Sequence, residues 1–372
     1  MLDSISRSLP MKPNCDALGS PKGSGMQLRL VGPSPATLGP VDAGSAQSLT
    51  SLEICSGAGG QALGIENAGF EHTALVEVER WPCETLRQNR PSWTVFEQDV
   101  RLFDAKPYRG AIDLLAGGVP CPPFSIAGLR RGHLDDRDLF PRAITLVRNC
   151  EPRAVMLENV KGLLSSEFRE YRVKIERDLR TYGYVSDWKL LNASDYGVPQ
   201  LRPRAILVAF REDQGRGFDW PDPLDAPVAT VGDALRQEMR SNGWEGADAW
   251  ADAANQIAPT LVGGSRLHGG PDLGPTRARE AWARLGVDGR SIADEAPPPG
   301  FTGMPRLTVP MTALIQGFPA DWKIAGRKTA AYRQIGNAFP PPVAEAVGKR
   351  IALALSGSAA LSTGVAATIQ VG

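Results

Sequence analysis

One cysteine of this chain is held in a stiff local frame. The run Ile112–Ser125 reads IDLLAGGVPCPPFS, so Cys121 follows an apolar strand pattern and two glycines, and it stands among Pro120, Pro122 and Pro123. Prolines restrict the backbone, and a thiol that only fills space needs no such frame. A nucleophile does need one, because a reacting atom must be held near its attack geometry. On this pattern alone, a nucleophilic role and a packing role for Cys121 both remain open.

Charged side chains at two other strand patterns could act on a bound substrate. Residues Ala154–Asn159 (AVMLEN) are apolar until Glu158, and a carboxylate at the end of a buried strand costs energy unless it has partners. Such a group often has a raised pKa and a role in proton transfer. Arg202 and Arg204 precede the apolar run Ala205–Phe210, and their spacing predicts that both point to one face of an extended segment.

Glycines and carboxylates at earlier strand ends favour an adenosine-type cofactor. Residues 49–55 predict a strand that leads into the glycine-rich turn Gly57–Gly60 and a helix over residues 61–67. This order brings backbone N–H groups and a helix N-terminus up to a ligand, although the spacing is not that of GxGxxG. Glu77 ends the next strand, where a ribose hydroxyl would be held, and Asp99 follows the third strand, where it could bind an adenine amino group. Each of these three features also has a simpler interpretation. The glycines could form an ordinary tight turn, Glu77 could belong to the start of a helix, and Asp99 could be a cap.

The elements that must position these residues alternate between strand and helix. This order predicts an α/β fold with a doubly wound, mostly parallel sheet of seven strands. Residues 126–138 predict a mobile basic loop beside the thiol, with an ordinary solvated loop as the alternative.

Composition excludes several classes of protein. The 372 residues carry 41 basic and 41 acidic side chains, so net charge gives no support for a nucleic-acid partner. The 5 cysteines are widely spaced without a CxxC pair, and with only 3 histidines they argue against a disulfide frame and against a metal site. No apolar run approaches the roughly 20 residues of a membrane span, and no secretory signal is visible. We expect a cytoplasmic protein with no metal and no membrane partner.

Six blocks of the sequence together resemble a known enzyme family. They read EICSGAGG, IDLLAGGVPCPPFS, VMLENV, YGVPQLRPRAILVAF, RLT with LIQGFPADW, and QIGNAFPPPV, in this order, and they span residues 49–351. The chain resembles the DNA (cytosine-5) methyltransferases of bacterial restriction-modification type. The resemblance implies a Rossmann-like fold that uses S-adenosyl-L-methionine, with S-adenosyl-L-homocysteine as product, and a smaller target-recognition domain. The implied reaction methylates C5 of a cytosine flipped out of a specific double-stranded DNA sequence.

The resemblance also assigns roles to the residues already singled out. Cys121 would attack C6 of the cytosine. Glu158 would hold N3 and the exocyclic amine and protonate N3. Arg204, with Arg202 beside it, would bind O2 of the base and steady Glu158. A water molecule is the expected base for the C5 proton.

Cofactor and DNA contacts follow from the same blocks. The implied cofactor-binding residues are Cys55, Ser56, Gly57, Ala58, Gly59, Gly60, Glu77, Val78, Asp99, Val100, Gly118, Pro120, Asn337 and Ala338. The expected DNA-binding residues are Ser125, Arg130, Arg131, Arg137, Arg266 and Arg277.

The chain divides into segments by composition. We predict a disordered extension over residues 1–47, a catalytic domain over 48–210 that returns at 306–356, a target-recognition domain over 211–305, and a flexible tail over 357–372. Residues 211–305 hold nine arginines, no lysine and fifteen aspartates or glutamates, so this segment is acidic, which is unexpected for a DNA reader.

Two positions depart from the family pattern. Cys55 stands where many members have Phe, and Pro122 stands where many bacterial members have Gln. A tRNA cytosine-5 methyltransferase on the same fold is the alternative, and the long insertion argues against it. We expect a monomer that acts on double-stranded DNA. A restriction endonuclease for the same site is a candidate partner, without a stable complex.

Overall fold

The structure is a computed structural model that describes residues 48–120, 138–263 and 270–367, with side chains described as far as residue 357. The described strands are β1 (Leu49–Ile54), β2 (Phe70–Glu77), β3 (Val95–Glu97), β4 (Leu114–Gly118), β5 (Ala154–Val160), β6 (Tyr184–Asn192) and β7 (Pro203–Arg211). The described helices are α1 (Gly60–Asn67), α2 (Arg80–Asn89), α3 (Phe140–Cys150), α4 (Arg169–Thr181), α5 (Val231–Arg240), α6 (Ala247–Ala253), α7 (Thr276–Arg284), α8 (Val309–Ile315), α9 (Lys328–Asn337) and α10 (Pro341–Ala367).

The seven strands form one mixed sheet in the order β3-β2-β1-β4-β5-β7-β6. Neighbours pair in parallel from β3 to β5, whereas β7 runs antiparallel to both β5 and β6. The predicted doubly wound, mostly parallel α/β fold is therefore confirmed. Because β7 is reversed, its beginning lies beside the end of β5, and Arg204 pairs in register with Val160.

Helices cover both faces of the sheet because its central strands are apolar on both sides. On one face Leu52 of β1 lies in a core cluster with Phe140 and Leu146 of α3. On the other face Leu114 of β4 clusters with Ile65 of α1 and Val343 of α10. Strands buried on both faces read as continuous apolar runs, which is the pattern seen in the sequence.

The described part of residues 211–305 consists of α5, α6 and α7 joined by irregular segments. Trp250 of α6 and Trp282 of α7 are buried in one core cluster with Met311 of α8 and Tyr332 of α9. This cluster attaches the segment to the C-terminal part of the chain, and the boundaries at 211 and 305 stay a prediction. No helix within the described ranges is both long and apolar enough to cross a membrane.

Two local features shape the C-terminal helices. Residues 307–309 form a short apolar stretch, and Thr308 caps α8, because its Oγ1 accepts a hydrogen bond from the N–H of Met311 at 3.3 Å. A threonine before a Val-Pro pair is a helix start rather than a strand. Helix α10 continues as far as Ala367, and the flexibility predicted for residues 357–372 stays a prediction. The alanines of α10 can continue a helix that packed residues have already nucleated.

Candidate active site

Three strands end side by side at one edge of the sheet, which we call the active-site edge. Gly118 at the end of β4 pairs in register with Glu158 of β5, and Gly117 pairs with Ile54 at the end of β1. A Cβ at Gly117 would lie 2.6 Å from the Ile54 side chain, so only glycine allows this close strand packing. A Cβ at Gly118 would lie 3.4 Å from a carboxylate oxygen of Glu158. The chain thus leaves β4 directly over the Glu158 carboxyl group.

A side-chain amide stabilises the turn that leads to Cys121 at this edge. The Asn159 side chain donates a hydrogen bond through Nδ2 to the Val119 carbonyl oxygen at 2.7 Å, and both residues are buried. Pro120 follows, and Cys121 itself lies outside the described residues. Sequence reasoning noticed Asn159 beside Glu158 but gave it no role. A buried amide next to a buried carboxylate is the signal that could have found it.

Glu158 and Arg204 form a buried ion pair across β5 and β7. The Arg204 Nε lies 2.7 Å from the Glu158 Oε1, and the two side chains are only 11% and 10% exposed. Arg204 also donates to the Pro203 carbonyl oxygen at 3.0 Å, which fixes the plane of its guanidinium group. The sequence predicted that these two residues act together, and the structure brings them into contact.

Burial sets the protonation behaviour of this pair. It raises the pKa of the Glu158 carboxyl group, and the nearby charges of Arg204 and Arg202 only partly offset that shift. Burial also lowers the pKa of Arg204, and the Glu158 charge opposes this change. Glu158 therefore takes up a proton more readily than an ordinary glutamate, as a group that donates a proton near neutral pH requires.

Arg202 takes a different position from Arg204. Its side chain is fully buried, and its guanidinium group donates to the carbonyl oxygens of Leu261 at 2.8 Å, Gly336 at 2.7 Å and Ala338 at 2.9 Å. Nη1 and Nη2 of Arg202 thus hold the protein frame, while its Nε has no hydrogen-bond partner among the described residues. A role for Arg202 at a bound base stays a prediction. The two arginines differ because Arg202 lies before the start of β7, while Arg204 lies within it.

In the glycine-rich turn after β1, Gly57 borders open space. Gly57 has a positive φ of 53°, and a Cβ placed there would meet nothing within 4 Å. Its neighbour Cys55 also has a positive φ, 54°, and is half-buried. Burial, with the carboxylates of Glu77 and Asp99 nearby, raises the pKa of the Cys55 thiol far above its usual range. The Cys55 thiol is therefore neutral and unreactive.

The other residues of this turn are enclosed by the C-terminal part of the chain. The Ala58 carbonyl oxygen accepts a hydrogen bond from Trp322 Nε1 at 3.1 Å. A Cβ at Gly59 would lie 2.7 Å from Leu86, and one at Gly60 would lie 2.1 Å from the carbonyl oxygen of Phe339. Ser56 is buried and donates to the Glu53 carbonyl oxygen at 3.4 Å. These four residues therefore pack against other parts of the protein and fix the shape of the turn.

Glu77 at the end of β2 is tied to the glycine-rich turn by hydrogen bonds. Its Oε2 accepts a hydrogen bond from the Gly57 N–H at 2.9 Å, and its Oε1 accepts from the N–H groups of Val78 and Glu79 at 2.7 and 2.8 Å. Burial raises the pKa of Glu77, although the three hydrogen bonds act in the opposite direction. Val78 follows with 58% of its surface exposed.

Asp99 and Val100 follow β3 and differ in their surroundings. The Asp99 carboxylate pairs with Arg101 Nη1 at 2.8 Å and accepts a hydrogen bond from the Arg101 N–H at 2.9 Å. Val100 is buried in the core, and its carbonyl oxygen accepts from Arg142 at 3.0 Å. Asp99 can therefore offer an acceptor to a ligand, while the Val100 side chain points into the protein.

The remaining predicted pocket residues come from both ends of the chain. Pro120 is exposed, and its carbonyl oxygen accepts a hydrogen bond from the Leu139 N–H at 3.3 Å. Asn337 is exposed at the end of α9, and Ala338 is buried with its carbonyl oxygen on Arg202.

The predicted DNA contacts fall mostly outside the described residues. This holds for Ser125, Arg130, Arg131, Arg137 and Arg266. Arg277 is described, and it is exposed in the first turn of α7.

The acidic character of residues 211–305 has a structural explanation. Arg236 pairs with Asp248 and Asp252 at 3.2 and 2.6 Å, and Arg240 pairs with Asp248 at 2.6 Å, so these carboxylates brace α5 against α6. Arg290 pairs with Asp288 at 2.9 Å. Part of the negative charge is thus used to hold the segment together.

Comparison with known proteins decides the family. The family model described as C-5 cytosine-specific DNA methylase matches residues 49–353. The chain belongs to this family. It is 54% identical over 316 residues to the Type II methyltransferase M.NaeI of Lentzea aerocolonigenes, a match that covers 83% of this chain and 76% of that relative. It is equally 54% identical over 314 residues to the Type II methyltransferase M.NgoMIV of Neisseria gonorrhoeae, with coverage of 82% and 98%. The methylase is thus a DNA cytosine-5 methyltransferase of the Type II restriction-modification kind.

Solved structures agree with the fold of the methylase. A DNA modification methyltransferase encoded within a prophage (E. coli) superposes with a TM-score of 0.60 at 23% identity and covers 83% of this chain and 100% of its own. The Dnmt2 methyltransferase of S. pombe gives a TM-score of 0.56 at 16% identity, with coverage of 83% and 99%. At these identities the likeness concerns the fold alone.

Proposed function

We propose that this methyltransferase methylates C5 of a cytosine turned out of double-stranded DNA, with S-adenosylmethionine as donor and a covalent bond between Cys121 Sγ and C6. The Glu158–Arg204 pair carries the proposal. It lies at the active-site edge beside Gly118, and the Asn159–Val119 hydrogen bond fixes the turn that leads from Gly118 to Cys121. A thiol, a proton donor and a fixed cation are the groups that addition to a cytosine ring requires.

Cys121, Glu158 and Arg204 each have a separate role in the reaction. The Cys121 thiolate forms a bond to C6, and the electron pair displaced from the ring moves toward N3 and O2. Glu158 gives its proton to N3, which its raised pKa favours, and Arg204 stabilises the charge at O2. After C5 has received the methyl group, a water molecule takes the C5 proton. The C5–C6 double bond then re-forms, the Cys121 Sγ–C6 bond breaks, and the N3 proton returns to Glu158.

Residues at the ends of β1, β2 and β3 support an adenosine-containing donor. Gly57 faces open space, Val78 offers an exposed apolar side chain, and Glu77 and Asp99 offer carboxylates at the ends of adjacent strands. Glu77 would hold the ribose hydroxyls, Val78 would lie against the adenine, and Asp99 would accept from its amino group. When bound, S-adenosylmethionine supplies an electrophilic methyl group on its sulfonium.

The biological role follows from the kind of relatives. Both close relatives are named as Type II methyltransferases. The methylase would protect host DNA from a restriction endonuclease that cuts the same sequence, acting as a monomer and forming no stable complex with that enzyme.

Methyl transfer to defined nucleic acids tests the proposal. The full chain is incubated with tritiated S-adenosylmethionine and either unmethylated duplex DNA or tRNA, and bisulfite sequencing then maps the methylated cytosines. We expect label in the duplex and a single sequence context. Label in tRNA alone would instead establish the alternative substrate.

The covalent step needs a separate test. A duplex that carries 5-fluorocytosine at the mapped site cannot lose a proton from C5, so the Cys121 adduct should persist and migrate as a protein–DNA band in a denaturing gel. Cys121→Ser should abolish both the band and the methyl transfer, whereas Cys150→Ala, at a buried core thiol, should keep both. Methylation by Cys121→Ser at the normal rate would overturn the mechanism.

A further inference from the structure

Arg202 joins two parts of the chain that the sequence predicts to bind different ligands, DNA and the cofactor. One part is the segment 258–263, within the predicted recognition domain, where the Leu261 carbonyl oxygen accepts from Arg202 Nη1. The other is the end of α9, where the carbonyl oxygens of Gly336 and Ala338 accept from Arg202 Nη2. These two carbonyls flank Asn337, the residue expected to complete the cofactor pocket.

The two parts also touch each other directly. A Cβ at Gly263 would lie 2.5 Å from the Arg333 carbonyl oxygen and 2.6 Å from Asn337 Oδ1. A Cβ at Gly336 would lie 2.3 Å from the Gly263 nitrogen. Both glycines are therefore needed for the backbones to meet without side chains between them. A shift of either backbone must move the other.

Two buried glutamines extend the same connection. The Leu261 N–H donates to Gln200 Oε1 at 2.8 Å, and Gln200 Nε2 donates to Gln316 Oε1 at 2.9 Å. Gln316 in turn donates to the Ala338 carbonyl oxygen. Leu261 and Ala338 are thus linked by two routes, one through Arg202 and one through this pair of amides.

An arginine is suited to such a junction. Its planar guanidinium group holds several acceptors in a fixed mutual geometry, which a lysine cannot reproduce. Inside a protein each of these bonds is strengthened by the low local dielectric, and each is costly to leave unmade. The position of Leu261 is therefore determined by the position of the residues around Asn337.

We propose that Arg202 is a positioning residue that couples the cofactor pocket to the recognition segment. Ordering of Asn337 by a bound cofactor would order residues 258–263, and DNA that binds the ordered segment would in turn strengthen cofactor binding, because such coupling is reciprocal. The proposal rests on the proposed function for the identity of the two ligands.

Hydrogen–deuterium exchange of the full chain with and without S-adenosylhomocysteine tests the coupling. Protection of residues 57–79 reports cofactor binding, and protection of residues 258–263 reports the coupling. In the wild type we expect both to be protected. In Arg202→Lys we expect the first region to stay protected and the ligand-induced protection of the second to disappear.

Two further variants separate coupling from stability. Arg153 is a matched control, because its guanidinium group ties Gln214, Asp113 and Leu355 together with bonds of 2.9, 2.9 and 2.8 Å, with Asp113 just before the start of β4. Arg153→Lys should destabilise the protein similarly but keep protection of both regions. Gly263→Ala should break the coupling with Arg202 intact, because the added methyl group separates the two backbones.

The binding affinities give a second readout. For the wild type we expect a duplex with the mapped site to raise S-adenosylhomocysteine affinity by about five-fold or more, within the usual range of such coupling. In Arg202→Lys this factor should approach one. Protection of residues 57–79 without protection of 258–263 in the wild type, or unchanged coupling in Arg202→Lys, would overturn the proposal. Protection of neither region in the wild type would overturn the proposed cofactor and the coupling together.

Discussion

The Nε atom of Arg204 lies 2.7 Å from Oε1 of Glu158, and the pair spans two antiparallel strands at the active-site edge. Strand pairing fixes the backbone of both residues, so neither side chain depends on a loop for its position. Burial makes the pair sensitive to the loss of either partner, since a single buried charge is left uncompensated. This pair is therefore the most informative target for mutation.

Glu158→Gln should lower the rate of methyl transfer by about 10²–10⁴-fold, because an amide cannot give its proton to N3. Since burial raises the pKa of Glu158, the wild-type rate should fall as pH rises through that pKa, and this limb should vanish in the variant. Single-turnover rates across a pH series measure both effects. Glu345→Gln on α10 serves as the control and should keep the wild-type profile.

Glu53→Gln should stabilise the protein at alkaline pH. Glu53 is fully buried on β1, and within the described residues neither of its carboxylate oxygens has a hydrogen-bond partner. Burial and then the Glu77 charge raise the pKa of Glu53 well above its usual range. The folded state thus keeps this proton where the unfolded chain has lost it, so stability falls as pH rises from about 4.3 through the folded pKa.

Urea unfolding at two pH values measures this effect. At about pH 8 the variant should gain on the order of 1 kcal/mol or more, because the unfolded wild-type chain has lost the Glu53 proton while the folded chain keeps it, and glutamine has no proton to lose. At about pH 3 the gain should disappear, because Glu53 is then mostly neutral in both states. Glu71→Gln, at an exposed position of β2, should change neither value. An equal gain at both pH values would contradict the assigned cause.

Gly57→Ala should weaken cofactor binding more than it weakens the fold. Gly57 and Gly69 both have a positive φ, of 53° and 93°, and a Cβ at either meets nothing within 4 Å. Alanine in such a conformation costs about 1–2 kcal/mol at both positions. Calorimetric titration with S-adenosylhomocysteine should show a loss of affinity for Gly57→Ala alone, since only Gly57 faces the pocket. Equal affinities for the two variants would remove Gly57 from the cofactor site.

Arg277→Ala should weaken DNA binding uniformly and reduce the slope of log affinity against log salt by about 1, as the loss of one phosphate contact does. Arg290→Ala is the matched control, because Arg290 is also exposed but its guanidinium group is paired with Asp288. Fluorescence anisotropy over a salt series compares the two. A slope that changes for Arg290→Ala and not for Arg277→Ala would place the DNA on another surface.

Much of the fold was predictable because its signals are local. The strands appear as continuous apolar runs, and Glu158 was recognised because a charge at the end of such a run is unusual. The cap at Thr308 was overlooked, since a short apolar stretch fits both a strand and a helix start. The contacts of Arg202 could not be predicted, because its partners at Leu261, Gly336 and Ala338 are distant in sequence and no periodicity connects them.

The enclosure of the glycine-rich turn by the last part of the chain has a consequence for synthesis. Trp322 reaches back across 264 residues to Ala58, and Glu345 across 278 residues to Asn67. During translation the glycine-rich turn after β1 lacks its Trp322 contact until residue 322 has left the ribosome. Contacts of such long range slow folding and prolong exposure of apolar surface. A nascent chain stalled before residue 322 should therefore be a client for chaperones and an inactive enzyme.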